Sequence, residues 1–384
     1  MSQMSASAPR VDPAFDVATM RLAIEEARKA MPSPNPPVGA VVVNAAGEVL
    51  ATGYHMRAGE DHAEGQALSR AGEAARGGTL YVTLEPCNHE GRTPPCVDVI
   101  LSAGIKRVVI GALDPNPGVT GGGAQRMTDA GLAVEVGVAG AEARALIAPW
   151  TKFITTGLPH VALKLALSLD GRIATRTGAS KWVTGPEARA KVQELRARHD
   201  AVAVGIGTAL ADDPRLTLRE IALAPSGRSP IRLVFDTQLR LPLDARLVTT
   251  AREVPTWVLA GAEAPEQAEQ ALVDAGCVVL RAPTSAEGRV DVTAAMRLCA
   301  AQGIVSILVK GGAELAGSLL ASRVPDELHA FVAPILLGPR GRPGAVDWAG
   351  PDTPTEAPRI VDPRWELCGR DAYVSGPLAF PSKG

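Results

Sequence analysis

Aromatic side chains are scarce in this sequence: Phe, Tyr and Trp together make up 3% of its 384 residues. Few flat platforms remain on which successive bases of a single strand could stack. Net charge is equally slight, −2 from 39 Lys and Arg against 41 Asp and Glu, so there is no basic footprint for a phosphate backbone. Both shortages speak against a protein that edits or coats nucleic acid. No apolar run approaches the length of a membrane span, and Met1 to Arg10 lacks the apolar core of a signal peptide. Cysteine is limited to five, at positions 87, 96, 277, 299 and 368. Their number and scatter do not suit a disulfide framework. The expectation is a cytoplasmic protein with neither nucleic acid nor membrane as partner. Also missing are an internal repeat and the Gly-x-Gly-x-x-Gly fingerprint of a dinucleotide fold.

What is present begins with composition: 46% hydrophobic and 21% charged residues, as in ordinary globular proteins, over a length that predicts two domains. The most informative stretch is His62-Ala63-Glu64, followed by Pro86-Cys87 and then Cys96. Imidazole nitrogen and thiolate sulfur are good zinc ligands, and a catalytic zinc keeps its fourth position open. His62, Cys87 and Cys96 are the candidate ligands. Glu64, two residues past the first, is placed to reach a water at the open position and carry its proton to a leaving amine. A closed structural site, with His89 as the fourth ligand, is the alternative. Such a site has no use for the carboxylate beside the histidine. The spacing departs from the usual deaminase Cys-x-x-Cys, because Asn88 to Pro95 separates the two cysteines.

The remaining pattern reads as alternating helices and strands. Asp16 is expected to cap a helix running to about Ala30, stopped by Pro32, Pro34, Pro36 and Pro37. Strands follow at Val38–Val43 and up to Gly53, and a helix from His62 to Ala75 would carry His62 and Glu64 in its first turn. Strand Thr79–Leu84, helix Cys96–Ala103, strand Arg107–Ile110, a helix to about Ala130 and strand Ala133–Val138 complete the first half. The glycine-rich run Gly118–Gly123 reads as a loop, lacking phosphate-loop spacing. The chain pattern breaks between Trp150 and Pro159, which divides the expected organisation into a disordered tail (1–14), one domain (15–155) and another (156–384). In the second, strands are expected at Val161–Leu167, Ala201–Gly205, Ile231–Phe235, Thr256–Ala260, Val278–Arg281, Ser306–Lys310 and Glu327–Val332, with helices between most of them. Lys164 sits on an otherwise apolar strand, so it needs a partner such as a substrate oxygen or Asp212.

These motifs resemble the bifunctional riboflavin-biosynthesis deaminase–reductases of bacteria. The likeness rests on Asn35-Pro36-Pro37-Val38-Gly39-Ala40, Thr83-Leu84-Glu85-Pro86-Cys87 and Asp114-Pro115-Asn116-Pro117 in the first half. In the second it rests on Leu163-Lys164-Leu165, Ser168-Leu169-Asp170-Gly171-Arg172, Ser180-Lys181-Trp182 and Ala211-Asp212-Asp213-Pro214-Arg215-Leu216-Thr217. The resemblance implies a cytidine-deaminase-like α/β/α sandwich followed by a dihydrofolate-reductase-like α/β domain that uses NADPH. It implies deamination of a diaminopyrimidinone ribosylamino phosphate, then reduction of its ribosyl group to ribityl, in a homo-oligomer. Asn35, His55, His89 and Arg92 correspond to the cradle of the first substrate. Ala166, Trp182, Thr208, Asp212, Thr237 and the run Gly312, Ala313, Glu314, Leu315, Ala316, Gly317, Ser318 correspond to cofactor contacts, and Ser180, Arg196, Leu216 and Arg219 to contacts with the second substrate. Arginine forks suit phosphate oxygens. One departure is a cation in place of an anion: the family usually has Glu-Gly-Gly where this chain has Lys310-Gly311-Gly312. That exchange favours one rival reading, a deaminase with a scaffolding second domain; the others are a zinc-stabilised binding module and a nucleic-acid editor.

Overall fold

The structure is a computed structural model describing residues 12–90, 94–118, 122–219, 227, 229–338, 340 and 344–381. The chain divides into two compact units, Met1–Thr156 and Gly157–Gly384. The expected disordered tail lies outside the described residues except for 12–14, where a helix already begins.

In the first unit the elements run α1 (Pro13–Ala27), β1 (Gly39–Val43), β2 (Val49–Tyr54), α2 (Ala63–Ala71), β3 (Thr79–Leu84), α3 (Cys96–Ser102), β4 (Arg107–Ala112), α4 (Gly123–Asp129), β5 (Ala133–Val136) and α5 (Gly140–Thr156). The sheet order is β2-β1-β3-β4-β5. β1 is antiparallel to β2 and β3, whereas β3, β4 and β5 are parallel. Strand periodicity separates the faces. Ala40, Val42, Leu80, Val82, Val108 and Ile110 bury one face against α2, α3 and α4. On the other, Gly39 meets the backbone of α1 and Gly111 meets Met20 of α1 and Ala143 of α5. The result is a three-layer α/β/α sandwich.

Two local expectations are corrected. The cap of α1 is Asp12, which accepts from the Ala14 N–H at 3.0 Å. Asp16 lies inside the helix, buried, and takes both terminal guanidinium nitrogens of Arg107 (2.8 and 2.7 Å) and the Tyr81 hydroxyl. A buried arginine requires such compensation, and its partner is far away in sequence. The second correction concerns α2: it starts at Ala63, with His62 at its N-cap in extended conformation, and ends at Ala71 ahead of a short 3₁₀ turn.

The second unit contains β6 (His160–Ser168), α6 (Pro186–Ala197), β7 (Ala201–Gly205), α7 (Ile206–Asp212), β8 (Ile231–Phe235), α8 (Arg246–Thr249), β9 (Thr256–Gly261), α9 (Glu266–Asp274), β10 (Val278–Ala282), α10 (Val292–Ala301), β11 (Ser306–Lys310), α11 (Ala313–Ala321), β12 (Glu327–Ala333), β13 (Arg359–Ile360), β14 (Arg364–Cys368) and β15 (Asp371–Ala379). Its sheet runs β10-β9-β8-β7-β11-β6-β12-β15-β13, with β14 also paired to β15. Strands β10 to β12 are mutually parallel, and the C-terminal strands are antiparallel. Parallel strands covered on both faces are uniformly apolar. Accordingly, two hydrophobic clusters share β6, β7, β8, β9 and β11: Leu163, Ala203, Leu233 and Val309 belong to one, Ala162, Val202, Val234 and Leu308 to the other. Arg232 is 0% exposed within this core. Its guanidinium donates to the carbonyls of Leu247, Thr250 and Val254, which ties the end of α8 to β8.

Candidate active sites

The first site forms where three chain segments end. His62 caps α2, Cys87 follows β3, and Cys96 opens α3. His62 Nδ1 lies 3.1 Å from Cys96 Sγ and 3.6 Å from Cys87 Sγ, and the three donor atoms are within 4.8 Å of one another. Ordinary Zn–N and Zn–S lengths in a tetrahedral site imply a nitrogen–sulfur separation of about 3.6 Å, so the donor set fits zinc. The Cys96 N–H donates to Cys87 Sγ at 3.3 Å. The hydrogen bond with the Cys96 thiol does most to lower the pKa of Cys87, against the opposing effect of burial; His62 and then the Cys96 N–H add to the lowering. Cys96 is raised by that thiol–thiol hydrogen bond and by burial. A bound cation reverses this, because it deprotonates both thiols.

Glu64, in the first turn of α2, is 3% exposed. Burial raises its pKa against the pull of His62, which suits a carboxyl that must gain and lose a proton. His55 is 3% exposed, and its Nε2 is 3.0 Å from Asn35 Nδ2, with the ring 5.1 Å from the His62 ring. Burial depresses its pKa, leaving it neutral and able to bond uncharged groups. Asn35 and His55 are therefore brought together beside the ligands. His89 is exposed on the segment after Cys87, while Arg92 lies outside the described residues.

Sequence reasoning missed what holds the cysteine segment. Glu85 accepts from the N–H groups of Asp114 (3.2 Å) and Ala124 (3.0 Å), and Arg126 donates to Asn88 Oδ1 at 2.8 Å. The motif around Cys87 contained the first signal, a carboxylate two residues before a ligand. Gly123 begins α4, where a Cβ would sit 2.1 Å from the Pro86 carbonyl oxygen.

The second site is a cavity of about 1120 Å³ at the carboxyl ends of β6, β7, β8 and β11. Open parallel sheets bind ligands at this edge. Lys164, Ala166, Ser180, Trp182, Arg196, Thr208, Asp212, Leu216, Arg219 and Thr237 all line it, as do Gly312, Ala313, Glu314, Leu315 and Ser318. Ala316 and Gly317 are corrections: neither lines the cavity. Ala316 is buried in the core, and Gly317 packs where a Cβ would meet the Asp347 carbonyl oxygen at 1.9 Å. A helical run turns successive residues in different directions, so a continuous stretch of contacts was not available. Gly312 has φ +92, and a Cβ there would lie 3.1 Å from Thr208 Oγ1. This leaves a side-chain-free approach beside the start of α11, suited to the phosphates of a dinucleotide. The volume also fits a large cofactor together with a small substrate.

Toward the other end, Ser180 Oγ donates to Asp212 Oδ1 at 3.3 Å. Arg196 is 4% exposed and donates to the Thr217 carbonyl at 3.0 Å. Trp182 is exposed, with the Arg189 guanidinium 4.5 Å over its ring. The sequence did not single out Arg189, Arg240 or Arg289, which also line the cavity; each in isolation looks like a solvated surface charge.

Fold and donor set together define a zinc-dependent deaminase joined to a reductase-like α/β unit. Residues 13–112 match the cytidine and deoxycytidylate deaminase zinc-binding region, and residues 159–374 match the RibD C-terminal domain. The riboflavin biosynthesis protein RibD of Bacillus amyloliquefaciens is 40% identical, over 95% of this chain and 96% of that protein. That of Escherichia coli is 43% identical over 85% and 89% respectively. Among solved structures, RibD of Acinetobacter baumannii superposes with TM-score 0.83 at 35% identity, covering 97% of this chain and 100% of the other. A Thermotoga maritima diaminohydroxyphosphoribosylaminopyrimidine deaminase/5-amino-6-(5-phosphoribosylamino)uracil reductase gives 0.80 at 34%, covering 96% and 99%. The chain belongs to the RibD family of riboflavin-biosynthesis proteins.

Proposed function

We propose that this chain carries out two steps of riboflavin synthesis. The first is hydrolytic deamination of 2,5-diamino-6-ribosylamino-4-pyrimidinone 5′-phosphate; the second is NADPH-dependent reduction of its ribosyl group to ribityl. The observation that carries the first step is the convergence of His62, Cys87 and Cys96 within 4.8 Å beside the buried Glu64. His62, Cys87 and Cys96 would hold zinc, which supplies a Lewis acid that makes water a nucleophile at neutral pH. Glu64 would act as the general acid/base, taking a proton from the attacking water and returning protons to the ring and to the departing amine, so that ammonia leaves. Asn35 and neutral His55 would hold the base, and His89 would contribute to the same cradle.

In the second unit NADPH, when bound, would supply the hydride for reduction at C1′. Ala166, Trp182, Thr208, Asp212, Thr237, Gly312–Leu315 and Ser318 would hold the cofactor. Ser180, Arg196, Leu216 and Arg219 would fix the sugar phosphate, with Lys164 and Asp212 as candidate proton donors. The cytoplasm is the proposed location, since none of the five cysteines is joined in a disulfide. Among the described residues no helix is long and apolar enough to cross a membrane. A homo-oligomer is the proposed assembly, checked by light scattering.

The test is a mass spectrum of products from zinc-loaded protein and the pyrimidinone, with and without NADPH. Deamination alone is expected without NADPH, and deamination plus hydride addition with it. Glu64→Gln should retain zinc yet lose deamination by roughly 10²–10⁴-fold. Undiminished ammonia release from that variant would overturn the hydrolytic step.

A further inference from the structure

Trp182 lines the second cavity yet is 66% exposed. So open an indole has little packing to hold it, and its place must come from the backbone that carries it. That backbone runs through Val183, Thr184 and Gly185 into α6. Gly185 is the N-cap of the helix, in extended conformation, and Pro186 is its first residue. Glycine has no side chain with which to cap, and proline has no N–H. The start of α6 therefore cannot fix itself.

Its anchor comes from near the other end of the chain. Asp371, the first residue of β15, is 0% exposed, and its Oδ2 accepts from the Gly185 N–H at 2.6 Å across 186 positions of sequence. Among the described residues its Oδ1 has no hydrogen-bond partner, which leaves the carboxyl committed to Gly185. Taking a carboxyl out of water to hold one amide is a costly way to stabilise a turn. The turn before β15 is shaped to meet the helix: Gly369 has φ +62, and Glu187 in the first turn of α6 packs where its Cβ would be.

A second hold comes from α6 itself. Arg189 Nη1 donates to the Thr184 carbonyl at 2.8 Å, and the guanidinium lies 4.5 Å over the Trp182 ring. A cation over an indole face is attractive, so one side chain grips both the backbone and the ring. The Thr184 carbonyl and the Gly185 N–H belong to one planar peptide unit. With Arg189 on its oxygen and Asp371 on its nitrogen, that unit is held at both polar ends.

We propose that Asp371 and Arg189 are positioning residues for the reduction: by fixing the peptide between Thr184 and Gly185 they hold Trp182 ready for the bound dinucleotide. The inference rests on the second unit using NADPH with Trp182 as a contact. Neither residue needs to touch the reacting atoms. Their contribution is preorganisation, because a segment ordered beforehand does not have to be ordered by the cofactor as it binds.

The experiment is calorimetric titration of NADPH into the full-length zinc-loaded protein, well below its melting temperature. Asp371→Ala and Arg189→Met should each bind about five-fold more weakly than wild type. Asp371→Asn, which keeps an oxygen toward Gly185, should lose only about two-fold. On a Trp182→Ala background none of the three should weaken binding further, because their effect passes through that ring. Should Asp371→Ala not fold, Asp371→Asn decides by the same comparison. Lower melting temperatures with unchanged affinity would show packing alone and sink the proposal. So would losses of the same size on both backgrounds, which for Arg189 would mean direct contact with the cofactor. If wild type itself does not bind NADPH, the reductase reading falls and the proposal with it.

Discussion

His199, half-buried just past α6, shows how one side chain ties stability to pH. Its Nδ1 is 2.6 Å from the Leu195 carbonyl oxygen, and His160, His329 and Glu327 act on it electrostatically. Burial pushes its pKa down to about 4 despite that bond. The unfolded chain would protonate the same ring near its ordinary value of about 6.5. Between those values the unfolded state holds the extra proton, so folding stability is fully present above about 6.5 and declines as pH falls toward 4. Urea midpoints of the second unit should fall over this interval, and His199→Gln should flatten the decline. An unchanged slope in the variant would place the acid sensitivity elsewhere. Residues differ in how well their neighbours can be read from sequence. The zinc ligands were legible because one chemistry demands these types at short spacings. Asp16 was misread as a cap because its partners, Arg107 and Tyr81, are brought to it only by the fold.

Elements place the ligands, and glycines set how closely the elements approach. α4 presses its first residue against the segment carrying Cys87, with room for a hydrogen at Gly123 and none for a methyl. Gly123→Ala should displace Pro86 and Cys87 and weaken zinc retention by about 10–100-fold, the usual effect of disturbing what supports a ligand. Competition with a chromogenic chelator measures this. Gly65→Ala, where a Cβ meets open space on α2, is expected to hold zinc as wild type does; equal loss in both variants would argue against the contact. The central strands of the second unit were legible with their limits at Ala201–Gly205, Ile231–Phe235 and Ser306–Lys310, since buried parallel strands are short apolar runs between turn signals. α5 was not anticipated: Pro149 lies inside it, and proline normally marks a helix boundary. Nor were β13, β14 and β15. Arg364–Leu367 is exposed throughout, and pairing at a sheet edge leaves little pattern in the residues.

At the scale of the molecule the two chemistries draw on different stabilising ligands. Anything that binds a folded unit and not the unfolded chain stabilises that unit. Zinc removal should therefore raise hydrogen exchange in α2, α3 and the Cys87 segment, whereas NADPH should slow exchange around β7, β11 and the start of α11. Protection at both sites from either ligand alone would contradict this division. The division of labour was legible in the order of the motifs. The cavity's full arginine complement was not, because residues far apart in the chain converge only once the parallel sheet is assembled.

The threading of that sheet also bears on synthesis. β6, early in the second unit, lies between β11 and β12, which are made about 150 residues later. A growing chain can close its deaminase sheet as soon as β5 has left the ribosome, but β6 must wait until β11 and β12 have been made. Nascent chains would thus pass through a stage with one finished enzyme and one open sheet. A transcript cut short before β12 would leave a polypeptide that releases ammonia from its substrate and passes the product on unreduced.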